Sequence, residues 1–92
     1  MEFADARERM YMREIASLLA GKSVETLGGT EQGAIKSISL EEIKKRIDGA
    51  DHDEPRLMRA LDHMVHTGAI ERRDFAWRTT PQFARWRRAL EN

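Results

Sequence analysis

Arginine and histidine recur at helical spacing in "EPRLMRALDHMVH", Glu54 to His66. At ~100° per residue, Leu57, Leu61 and Met64 share one side of a helix, with Arg56, Arg59, His63 and His66 on the other. Guanidinium groups arrayed in this way can fork onto guanine edges or phosphate oxygens. A second group of cations, Arg72, Arg73 and Arg78, lies among the strand-forming residues of "AIERRDFAWRTT". Alternation along a strand sends Arg72 and Arg73 to opposite faces, so at most one of them reaches a groove from the body of a hairpin. A solvated charge, or a bridge to Glu71 or Asp74, accounts for the other about as well. Arg85, Arg87 and Arg88 complete the basic set. From Glu71 to Asn92 there are six arginines against three acids, a net of +3, in a chain whose formal net charge is zero. Binding to nucleic acid draws on Lys and Arg that release counterions from phosphates, so distribution of charge matters more than its total.

Acids gather at the start of the same helical stretch, as Asp51, Asp53 and Glu54. A carboxylate near a helix N-terminus contributes roughly 0.3–1 kcal/mol through the dipole. It also repels a phosphate brought to that end. Capping needs one such side chain, with Asp53 the preferred one and Glu54 the alternative, yet three are present.

Other chemistries are less well served. His63 and His66 share a helical face, and Asp62 with Asp51 or His52 could complete a metal site. Two ligands at helical spacing arise often by chance, and exposed polar surface explains them, so no metal site is expected. Trp77 and Trp86 could stack on bases, but their positions suit a core better. No serine or threonine has a recognisable base and orienting group, so neither catalytic residues nor a cofactor are expected, and the chain is not expected to be an enzyme.

The elements that position these residues follow from pattern. A first helix is expected over residues 5–20, with Tyr11, Ile15, Leu18 and Leu19 as its apolar stripe. Phe3, Ala6 and Met10 form a second face, read as packing on the C-terminal segment or as a dimer contact. Residues 22–33, with Gly28-Gly29, read as loop, and "AIKSISL" as a short strand anchored by Ile35, Ile38 and Leu40. Ser39 and Glu42 form a capping box for a second helix over 39–48, closed by Gly49. Pro55 suits the first turn of a third helix over 54–67, buried through Leu57, Met58, Leu61, Met64 and Val65 and closed by Gly68. A hairpin over 69–80 turns near Asp74-Phe75. Pro81 opens a last helix over 81–91, striped by Phe83, Trp86 and Leu90.

A chain of 92 residues forms one small domain with a single core, spanning 1–92. With 35% charged and 40% hydrophobic residues it has a soluble composition. No apolar run approaches the ~20 residues of a membrane span. The N-terminus lacks a signal-peptide pattern and there is no cysteine, so a cytoplasmic location is expected.

The segments "SLEEIKKRI", "LMRALDHMVHTGAIERR" and "FAWRTTPQFARW" together resemble the winged-helix branch of the helix-turn-helix superfamily. The resemblance spans roughly residues 5–90, and no single family within the superfamily stands out. It implies a mainly α fold with a small β-hairpin, ordered helix, strand, helix, helix, hairpin, helix. It also implies a DNA-binding transcriptional regulator, with double-stranded DNA as partner. The third helix would enter the major groove with Arg56, Arg59 and His63, and the wing would hold the backbone with Arg72, Arg73 and Arg78. A homodimer through the terminal helices is compatible with it. Winged helices also serve as protein–protein interaction modules or architectural subunits, and fold alone does not choose. The arrangement of charge does. A continuous basic face with the acids turned away favours DNA, and acids within that face favour a protein partner.

Overall fold

The computed structural model describes residues 6–21 and 36–91. The chain is mainly helical with a small antiparallel sheet. In chain order the elements are α1 (Ala6–Ala20), β1 (Ser37–Ser39), α2 (Leu40–Arg46), a single 3-10 turn (Ala50–His52), α3 (Glu54–His66), β2 (Ile70–Arg73), β3 (Ala76–Thr79) and α4 (Phe83–Glu91). The three strands are ordered β1-β3-β2. Phe3, Ile35 and the loop over 22–33 lie outside the described residues.

Helix α1 buries Tyr11, Met12, Ile15, Ala16 and Leu19, while Leu18 is only partly covered. The buried stripe is thus rotated slightly from the expected one, with Met12 and Ala16 in the core and Leu18 at its margin. Of the second face, Ala6 is exposed and Met10 is 37% exposed, while Phe3 is not among the described residues.

Helix α2 starts as its sequence requires, with the Glu42 N–H donating to the Ser39 hydroxyl at 3.2 Å. It stops at Arg46, short of Gly49, because Ile47 turns extended (φ −106°) to bury its side chain. Gly49, at φ +80°, then opens the 3-10 turn. Pro55 stands in the first turn of α3, where its missing N–H costs nothing. Leu57, Ala60, Leu61 and Met64 are fully buried, whereas Met58 and Val65 are at the edge of the core. Gly68 closes α3 at φ +88°, a left-handed conformation natural to glycine, and the Ala69 N–H donates back to the Met64 carbonyl at 3.0 Å.

The sheet register places Ile38, Trp77 and Arg72 side by side on one face, with Ile70 opposite Thr79 on the same face. Ile38, Ile70, Trp77 and Thr79 are buried there. Glu71, Arg78 and Ser37 lie opposite one another on the outer face, as do Arg73, Ala76 and Ser39. Asp74 takes φ +57° in the two-residue turn, a conformation Asp tolerates better than most side chains. Helix α4 begins at Phe83 rather than at Pro81, because Thr80 organises the turn before it. The Thr80 hydroxyl donates to the Ala69 carbonyl at 3.0 Å and accepts the Gln82 N–H at 3.2 Å. Phe83 is buried and Trp86 and Leu90 lie against the core, the two rings 6.1 Å apart.

Candidate nucleic-acid interface

The acids at the start of α3 each have separate partners. Asp53 occupies the cap position, but its carboxylate bonds no helix N–H. It accepts the Tyr11 hydroxyl at 2.9 Å and faces the Arg56 guanidinium at 3.5 Å. Burial, and then this bond to Asp53, push the Tyr11 hydroxyl above its ordinary value. Glu54 accepts the Lys44 ammonium at 2.6 Å, linking α3 to α2. Asp51 lies 3.6 Å from the His52 imidazole, an ion pair only when that ring is protonated.

Most of the cations expected to touch DNA are held in the same way. Arg59 Nε donates to the Glu8 carboxylate of α1 at 2.5 Å, and Glu8 is only 13% exposed at its side chain. Arg78 Nε donates to Glu71, its cross-strand neighbour, at 2.5 Å. Arg72 lies on the core face of the sheet, its guanidinium 5.3 Å from the Trp77 ring centroid. Its Nε donates to the Asp74 carbonyl at 3.1 Å. Arg73 lies on the opposite face, exposed and with no hydrogen-bond or ion-pair partner among the described residues. His63 is half-buried on α3. On α4, Arg85 and Arg88 are exposed and unpaired among the described residues, while Arg87 is half-buried and engaged.

The most outward positions of α3 are therefore Pro55, Arg59, Asp62 and His66, all exposed. Asp62 stands among them, a residue the sequence reading treated only as a ligand candidate. Counting Ala60 on the buried side turns the wheel enough to bring Asp62 outward. Acids and arginines thus interleave over α3. Exposed ion pairs contribute only ~0–1 kcal/mol, so a phosphate can displace any one of them, but the displaced acid stays close by.

Two further features are not given by the sequence pattern, the Glu8 partner of Arg59 and the exposure of the Phe75 ring. Glu8 carries no local signal, being 51 positions from Arg59. Phe75, in the hairpin turn, is 79% exposed. Its place between Asp74 and β3 was the available signal.

No three His, Cys, Asp or Glu side chains are grouped to hold a metal ion among the described residues, so His63 and His66 have no third ligand there. No described helix is long and apolar enough to cross a membrane. No protein-family model, curated protein or solved structure matches the chain, so the functional reading stands on these residues.

Proposed function

We propose that the chain is a winged-helix domain that binds duplex DNA mainly through its β2–β3 hairpin, as a small transcriptional regulator would. The element order and the pairing of β1 with β3 beside the hairpin support the winged-helix assignment. The observation that carries the DNA reading is Arg73, an exposed cation near the hairpin tip, beside Arg72, with no partner among the described residues. Arg85 and Arg88 add exposed charge on α4. Arg56, Arg59 and His63 take a lesser part, since Asp53 and Glu8 already balance the two arginines and Asp62 stands in the face they would present.

Anisotropy titrations of a labelled duplex across a salt series test this. Binding at low salt is expected, with log K falling linearly in log salt at a slope of about −0.9 for each phosphate contacted. A chain that binds no duplex at low salt refutes the proposal.

A second reading has its own observation. Asp62, Glu54 and the Glu8–Arg59 pair give α3 a mixed, locally acidic surface, suited to a basic protein partner rather than to a polyanion. Asp62→Lys distinguishes the two. Stronger duplex binding places α3 against DNA, and unchanged binding leaves that face to a protein. Self-association is a separate proposal, resting on exposed Ala6 and Met10 of α1, and sedimentation at increasing concentration tests it.

A further inference from the structure

We propose that Phe75 is an apolar wedge that the hairpin inserts at a base step of duplex DNA. This rests on the DNA-binding reading above and assigns that surface its chemistry. Phe75 is 79% exposed, and the one other large hydrophobic residue so exposed among the described residues is Met10, at 37%. The Phe75 side chain is not part of the core or of the side chains packed against it, so folding gives no account of an aromatic ring there.

The tip holds the backbone beneath the ring in a fixed place. The Leu40 N–H donates to the Phe75 carbonyl at 3.2 Å, tying the turn to the start of α2. The Arg72 guanidinium donates to the Asp74 carbonyl at 3.1 Å while lying over the buried Trp77 ring. Both residues of the turn are thus pinned through their carbonyls, from opposite sides of the hairpin. A turn held this way has little backbone freedom left to lose when the ring is inserted.

Charge favours a polyanion as the occupant. Arg72 and Arg73 supply two positive charges against the one negative charge of exposed Asp74, and Arg73 has no partner among the described residues to give up. Position fits as well. Phe75 lies in the two-residue turn at the end of the ribbon, so the ring can enter a minor groove ahead of the strands. Apolar side chains introduced from that groove unstack a base step and kink the duplex, while cations beside them hold the phosphates.

The test uses the full chain and duplexes carrying 2-aminopurine, whose fluorescence rises when it unstacks. Phe75→Ala and Phe75→Leu are compared with the parent, and thermal melts confirm that each folds. The parent is expected to raise the 2-aminopurine signal. Phe75→Ala should lose that signal and bind about tenfold more weakly, a difference of ~1.4 kcal/mol. Phe75→Leu should keep the signal, because a wedge needs apolar bulk and not aromaticity. Parent and Phe75→Ala binding duplex with equal affinity and equal signal would overturn the wedge and leave the DNA reading standing. A parent that binds no duplex at low salt overturns both.

Discussion

Replacing Tyr11 by Phe removes a single hydroxyl and leaves a ring of the same shape in a fully buried site. What is lost is the 2.9 Å bond to the Asp53 carboxylate, which ties α1 to the start of α3. Hydrogen bonds to charged groups contribute ~1.5–3 kcal/mol. The Asp53 side chain is 23% exposed and keeps Arg56, so water recovers part of the loss. The expected cost is therefore at the low end, about 1.5 kcal/mol. In a domain of this size that lowers Tm by roughly 6–12 °C. A pH signature accompanies it. Burial first, and then the Asp53 bond, raise the Tyr11 hydroxyl above its ordinary 10.0. The folded chain then keeps a proton that the unfolded chain releases. This contribution to stability is fully present below pH 10.0 and is lost as pH rises through the higher folded value. Urea unfolding followed by tryptophan emission, at neutral pH and then across the alkaline range, measures both effects. Tyr11→Phe should be less stable at neutral pH and show a shallower alkaline decline. A variant as stable as the parent, with the same alkaline slope, would refute the bond and with it the account of why Asp53 does not cap α3.

Arg73→Ala should flatten the dependence of log K on log salt by about 0.9, the share of one phosphate contact. Arg59→Ala, whose charge Glu8 already balances, should move it by less than about half as much. Gly68→Ala puts a side chain at φ +88° and should cost about 1–2 kcal/mol in denaturant titrations, although nothing lies close enough to clash. Arg72→Ala uncovers the Trp77 ring and should cost about 0.5–1 kcal/mol, with a red shift in tryptophan emission.

What the sequence could convey was what is local. Ser39 and Glu42 lie three residues apart, so one capping interaction is visible in the text of the chain, and the helix begins where they place it. Pro55 and Gly68 bracket α3 for reasons of backbone geometry that need no partner. Burial periodicity likewise places Leu57, Leu61 and Met64 inward. The contacts that decide the electrostatics are not local. Tyr11 reaches Asp53 across 42 positions and Glu8 reaches Arg59 across 51. Each requires the angle at which α1 lies on α3, which no spacing encodes. Strand alternation correctly separates Arg72 from Arg73, but only the register, Arg72 opposite Trp77, says which of them turns toward the core. The start of α4 is local again. The Thr80 hydroxyl accepts the Gln82 N–H and the Thr80 carbonyl accepts the Phe83 N–H, so the chain already turns at Pro81 and the regular helix follows from Phe83.

The acids before α3 are the clearest case of composition and geometry carrying different messages. As a run of like charges, Asp51, Asp53 and Glu54 argue against a polyanion at that end. As placed, Asp53 is committed to Tyr11 and Arg56, Glu54 to Lys44, and Asp51 lies beside His52. Much of the repulsion read from the run is therefore already offset by neighbouring cations, and those same pairs occupy arginine and lysine that a phosphate would need. Asp62 differs. It stands exposed on α3 with no partner among the described residues, so it keeps its full charge on the outward face of the helix. The case against α3 as the main reader of DNA thus moves from the conspicuous cluster to one acid in the middle of the helix. The case for the hairpin rests on the reverse condition at Arg73, a cation that no acid among the described residues has claimed.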